Sequence, residues 1–157
     1  MRISGLNTVI HNLNREIKKI EGRSMKGLIE AQIIIRRDMD KTPPKIPVDT
    51  GNLRASYYTI ISSGKLLEGE TPNFKGGSAP RMSGEHMPEI MRAKNLLPSN
   101  GPSLALGFSA FYAWFVHEMI DAKFGRPGAG AKFLEASIKR NKKPILEAIR
   151  KNAKVRR

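Results

Sequence analysis

The sequence predicts an α+β fold: N-terminal helices, a small antiparallel sheet with a long inserted loop, a central helix and a C-terminal helix. Three observations predict it. Apolar residues recur at helical spacing at both ends of the chain, the middle holds two short runs of strand character, and 157 residues make one domain of ordinary size, 1–157.

Leu6, Ile10, Leu13, Ile17 and Ile20 fall at spacings of four and three, on one face of an amphipathic helix that turns Arg15, Lys18 and Lys19 away. This helix is expected to end near Gly22. A second is expected to start at Ser24 and run through Leu28, Ala31, Ile34 and Ile35 until Pro43-Pro44 stops it; one helix bent at Gly22 is the other reading. Leu53 to Ser63, with Tyr57, Tyr58, Thr59, Ile60 and Ile61, has the β-branched and aromatic density of a strand, ended by Gly64. From about 64 to 102 prolines and glycines recur, among them Pro72, Pro80, Pro88 and Pro98. This insertion is expected to be an irregular excursion, mobile or ordered by another subunit, with room for a short helix from Glu89 to Leu97.

Ser103 to Phe108 is a second strand with Leu104, Leu106 and Phe108 on one face. Ser109 then caps the central helix, which carries Phe111, Tyr112, Phe115, Val116 and Met119. Asp121 to Gly130 reads as a glycine-rich turn. Phe133, Leu134, Ile138, Ile145 and Ile149 define a C-terminal helix within a basic segment at about 131–157, with Pro144 marking a kink or a restart. The spacing of the tyrosines and of Trp114 suits the core or a subunit contact rather than ligand stacking.

Several kinds of chemistry lack their residues. Without cysteine there is no disulfide, thiolate zinc site or cysteine nucleophile. His11, His86 and His117 lie in three different predicted elements, and no pair has the spacing of a helical zinc site; His117, Glu118 and Asp121 share one helical face, which reads as surface or interface. There is no phosphate-binding G-x-x-x-x-G-K-[ST] loop. The chain opens without an apolar run of signal-peptide type, and its longest apolar cluster, Phe111 to Val116, is far too short to cross a bilayer. Asp49-Thr50-Gly51 is the tripeptide of aspartic proteases, but those need an almost all-β chain, and here helices and prolines precede it. It reads as a hydrogen-bonded turn in which Gly51 supplies a backbone conformation open to glycine.

The strongest physical signal is charge. Lys and Arg number 28 against 14 Asp and Glu, a net +14. Lys139, Arg140, Lys142, Lys143, Arg150, Lys151, Lys154, Arg156 and Arg157 are opposed in the C-terminal segment only by Glu147, so they are candidate contacts to DNA phosphates or to an acidic partner. A solvated helix face is the plain alternative, and a membrane-surface helix a third.

Pro47-Val48-Asp49-Thr50-Gly51-Asn52-Leu53-Arg54-Ala55-Ser56 resembles the P-V-D-T-G-x-L-R-x-S segment of the small tail-completion (neck, or head-to-tail connector) proteins of long-tailed bacteriophages, where it also follows a helical region. Tyr112-Ala113-Trp114-Phe115-Val116-His117-Glu118 is similar to that family's Y-A-x-x-V-E block, and Ala131-Lys132-Phe133-Leu134-Glu135-Ala136 to its P-F-L-x-x-A opening of the C-terminal helix. The resemblance covers about residues 3 to 150 apart from the insertion. It departs at His117, between the valine and the glutamate, at Met119 to Asp121 in place of a glycine-containing turn, and at Ala131-Lys132 in place of a proline-containing pair.

The resemblance implies a non-enzymatic virion protein without catalytic residues, metal or cofactor. It implies a homo-oligomeric ring, taken as hexameric, in the neck or head-proximal tail, assembled in the host cytoplasm. Its neighbours would be a stopper or adaptor ring and a tail terminator, with genomic double-stranded DNA in the lumen and no membrane. The reading from another class is a stand-alone, non-specific DNA-binding accessory protein acting through its basic C-terminal helix.

Overall fold

The structure is a computed structural model that describes residues 6–154, with side chains from residue 8. Among the described residues are α1 (Leu6–Lys41), α2 (Asn52–Ala55), β1 (Tyr57–Ile61), β2 (Leu66–Glu68), α3 (Ala79–Asn95), β3 (Leu104–Phe108), α4 (Ala113–Glu118), α5 (Phe133–Arg140) and α6 (Lys142–Ala153). The fold is therefore α+β.

The three strands form one antiparallel sheet in the order β2-β1-β3, with Tyr57 opposite Phe108 and Ile61 opposite Leu104. Alternation along β1 sends successive side chains to opposite faces, and both faces are covered. Tyr57 joins Ile35 and Met39 of α1, Phe74, Met82 and Phe133 in the main core, while Tyr58 and Ile60 pack on Ile90 of α3. Outside α1 lie α5 and α6. Gly27 makes the α1–α6 contact possible: a Cβ there would stand 2.8 Å from the Cα of Ile149.

Several elements differ from the sequence expectation. α1 is one continuous helix of 36 residues, about 54 Å long. A lone glycine costs a helix only about 1 kcal/mol against alanine, so Gly22, with no proline or turn beside it, does not end it, and Ser24 caps nothing. The predicted strand from Leu53 begins only at Tyr57, because Gly51 at φ 89° launches the short α2 first. The insertion is not irregular: it holds β2 and the 17-residue α3. Pro80 lies in the first turn of α3, where no amide partner is lost. Burial of Met82, His86 and Ile90 outweighs the roughly 3 kcal/mol that the interior Pro88 costs. The insertion is thus ordered by its own protomer.

Ser109 does not cap α4. It is buried, its hydroxyl 2.6 Å from His86 Nδ1, and the helix starts four residues later. The C-terminal helix is two helices, broken at Asn141, with Pro144 in the first turn of the second. Leu6 lies outside the described side chains, and Arg156 and Arg157 outside the described residues.

Candidate functional site

The three sequence blocks that carry the resemblance come together at one end of the sheet. Ile46 and Pro47 are buried, and Asp49, exposed, begins the turn. Thr50 Oγ1 accepts the amide of Asn52 at 3.4 Å. Leu53 enters the main core, and Ser56, fully buried, donates to the Leu53 carbonyl at 2.7 Å. The Ser56 carbonyl in turn accepts the amide of Ser109, which fixes the chain leading into α4. Tyr112, just before α4, Val116 of α4, Phe124, Pro47 and residues 49 to 53 line a pocket of about 240 Å³. Burial pushes the Tyr112 hydroxyl above its usual range, and the Asp49 carboxylate beside it acts in the same direction. Ala113 and Leu134 pack against the core beneath.

Below this pocket, Phe133 anchors the third block, with its ring 5.5 Å from Phe108 and 5.0 Å from the His117 imidazole. Lys132 enters α5 at φ 57°, a left-handed conformation that the fixed ring of proline cannot adopt. Its amide donates to the His117 carbonyl and its ammonium to Glu118. The hydrogen bond from Lys132, then that from His117 at 2.9 Å, holds Glu118 below the usual carboxylate range. Ala136 closes the block at the end of the first turn of α5, half-buried.

Arg54 is the charged member of the first block, and it belongs to a cluster. Its guanidinium lies 3.1 Å from Asp40, which Arg36 approaches at 2.7 Å and Arg126 at 3.6 Å. Arg126 also donates to the carbonyls of Ile46 and Asp40, tying the glycine-rich turn to the C-terminal end of α1. Asn52 pins the insertion by exchanging two 2.8 Å hydrogen bonds with the backbone of Lys75. Asp40, Asn52 and Arg126 were not singled out in the sequence: each is one more polar residue there, and their partners are distant along the chain. His86 joins three elements from α3, with Nε2 donating to the Gly69 carbonyl at 2.6 Å and Nδ1 then accepting the Ser109 hydroxyl. Both side chains are buried.

The basic candidates divide into two groups. Lys139 is paired with Glu135, and Arg140 with Asp38 at 2.6 Å and with the Pro43 carbonyl. Burial tends to raise the Asp38 carboxyl, but hydrogen bonds from Arg140, Asn141, Thr42 and Ser137 outweigh it and hold it below its usual range. Lys142, Lys143, Arg150, Lys151 and Lys154 are exposed and have no ion-pair partner among the described residues. α6 packs on α1 through the opposite side, with Ala148 buried and Asn152 donating to Glu30 at 2.9 Å. Its solvent face is therefore a mainly cationic ridge, interrupted by the exposed Glu147.

Two apolar surfaces stay bare. In the N-terminal half of α1, Val9, Ile10, Leu13, Ile17 and Ile20 are exposed, Leu13 by 58%. Before, on and after α4, Phe111, Trp114, Phe115, Met119 and Ile120 are exposed, Trp114 by 69%. The periodicity of the first was legible, but not that the protomer leaves it uncovered. Trp114 is outside the core, while Tyr57 and Tyr58 are in it.

Among the described residues no three His, Asp or Glu side chains are grouped to hold a metal ion, and no helix is long and apolar enough to cross a membrane. No protein-family model, curated protein or solved structure matches the chain.

Proposed function

We propose that this protein is a structural component of the neck or tail top of a long-tailed bacteriophage. It assembles as a ring, of six in the resembling family, completes the tail and helps join it to the DNA-filled head. The observation that carries this reading is the meeting of the three motif blocks, distant in sequence, around α2, α4 and the start of α5. Their residues turn the chain and pack the core there, which is the structural work that this reading gives them. The same reading takes a stopper or adaptor ring and a tail terminator as neighbours, the virion as the place of function and the host cytoplasm as the place of assembly.

The α6 ridge supplies the electrostatics. Copies of a +14 chain repel one another unless something anionic lies near. Lys142, Lys143, Arg150, Lys151 and Lys154 therefore face DNA in the lumen or an acidic neighbouring ring. The same ridge favours one second reading, a free DNA-binding accessory protein. A salt titration separates the two: a free binder holds duplex as an isolated protein with a steep salt slope, lowered by about one for each contacting cation removed, whereas a ring component binds only once assembled.

The deciding experiment is electron microscopy of a lysate from phage lacking the gene, with the gene supplied in trans as control. Separate DNA-filled heads and free tails, or tails of abnormal length, are expected; normal joined virions would overturn the reading.

A further inference from the structure

We infer that the bare stripe on the N-terminal half of α1 docks on the aromatic groove between α3 and α4 of a second copy of this chain, head to tail. The first argument is register. Ile10, Leu13, Ile17 and Ile20 follow each other at steps of three, four and three, the a and d positions of a heptad. The same pattern continues along the helix through Ser24, Gly27, Ala31 and Ile34. There it is a packing surface: Ala31 is buried, and Ile149 of α6 lies against Gly27. One helix-packing stripe thus runs along α1, and α6 covers its C-terminal part while the protomer leaves the rest bare. Residues 8–22 extend this uncovered part over about 22 Å.

The second argument is the matching surface. Between α3 and α4 lies a groove of about 540 Å³, with Phe111 and Trp114 on one wall and Gly84 and Pro88 on the other. The lining is mixed, with Glu85, Glu89 and Arg92 among the apolar residues and the Arg81 guanidinium 3.9 Å over the Phe111 ring, so an isoleucine and leucine face seats on the exposed Trp114 and on Pro88 while polar groups border it.

Placement decides between contact within one chain and contact between two. The arm passes the sheet at the Ile61 end, where Lys18, Gly22 and Met25 lie beside Ser62 and Pro102. The groove lies at the other end, just after Phe108. The five residues of β3 separate the two by about 17 Å, and the arm points away from the groove. One chain therefore carries complementary patches at opposite ends, the arrangement of a heterologous contact, which closes into a ring when the rotation allows.

Charge agrees. On the groove rim Glu85 and Glu89 are bonded to Arg81 and Arg92 at 2.8 and 3.1 Å. An arm carrying Arg15, Lys18 and Lys19 with Glu16 and Glu21, Lys19 paired to Glu16 at 2.7 Å, thus meets a balanced rim rather than bare cations. Pairing two arms with each other instead, antiparallel with Ile10 opposite Ile20 and Leu13 opposite Ile17, sets Glu16 against Glu16 and leaves the groove uncovered. Closure into a ring rests on the function proposed above, whereas the contact itself rests on the two patches.

The test uses the full chain, an arm variant (Leu13→Glu with Ile17→Glu) and a groove variant (Trp114→Arg with Phe115→Ser), all at exposed positions, in sedimentation over a range of concentrations. Wild type is expected to grow beyond dimers as concentration rises, and each variant alone to stay monomeric. An equimolar mixture of the two variants is expected to give a species of twice the monomer mass and nothing larger, since it holds one intact arm and one intact groove. Should the groove variant lose its melting transition, Trp114→Arg alone replaces it.

A groove variant that assembles like wild type would overturn the inference in favour of arm–arm pairing. An arm variant that assembles normally, a mixture that stays monomeric while wild type assembles, or a wild type monomeric throughout would each overturn it outright. None of these touches the lysate experiment, so this contact and the virion role fail separately.

Discussion

The two halves of α1 share one helix and one apolar period, yet residues 23–41 are packed and residues 8–22 are bare. In the first, Ala31, Ile35 and Met39 are buried and Gly27 meets α6; in the second, Ile10, Leu13, Ile17 and Ile20 are exposed. The contrast teaches that hydrophobic periodicity reports which face of a helix needs cover, not which chain supplies it. Helical stability in water comes mostly from such cover, so the halves should respond differently to the same change.

The largest difference is expected for truncation. Phe133→Ala in the main core should cost about 3–5 kcal/mol in urea unfolding, whereas Leu13→Ala in the arm should stay within about 0.5 kcal/mol at concentrations where the chain is monomeric. Equal losses would mean that the arm is packed within the protomer.

Glycine gives a comparison of opposite sign. Alanine at Gly22 meets no atom within 4 Å and gains helix propensity, so Gly22→Ala should raise stability by about 0.5–1 kcal/mol. At Gly27 the new Cβ would lie 2.8 Å from the Cα of Ile149, a backbone atom that cannot turn aside, so Gly27→Ala should cost about 1–3 kcal/mol. Thermal unfolding of both variants, with the same sign for the two, would break the comparison.

A smaller effect separates two carboxylates of α1 by pH. In the packed half, the Asp38 carboxyl is held below its ordinary 3.8 by the hydrogen bonds it accepts. Its contribution is complete above that value and is lost as the pH falls through the lowered folded value. Asp38→Asn should cost about 1–2 kcal/mol at neutral pH, and wild type and variant should converge only once the pH has fallen through the lowered folded value, below the ordinary 3.8. In the arm, the hydrogen bond from Lys19 also lowers Glu16, but Glu16 is fully exposed, so Glu16→Gln should leave the acid limb of the stability profile where it is.

What the sequence revealed follows the range of each signal. The α+β class, the stop at Pro43-Pro44, the strands around Tyr58 and Leu106 and the glycine at 51 rest on local backbone preferences, and these were legible. Pro80 and Pro88 read as breakers because local propensity carries no information on Met82, His86 and Ile90, whose burial on the sheet overrides it. Ser109 has the chemistry of a cap, but its hydroxyl goes to His86, 23 residues away. The motif blocks were readable one by one; their meeting at Tyr112 and Phe133 was not, since it depends on how the sheet closes. The cationic ridge was visible as composition, while the pairing that neutralises Lys139 and Arg140 depends on Glu135 and on Asp38, which lies on another helix.

The most direct test of the division within α1 is amide hydrogen exchange of the full chain, read at concentrations below and above self-association. In the monomer, residues 8–22 should exchange close to unfolded rates while residues 28–40 stay protected, and on assembly the arm should gain at least tenfold protection. An arm as protected as residues 28–40 in the monomer, or one still unprotected in the assembled state, would contradict the view that this half of the helix is completed by a second copy.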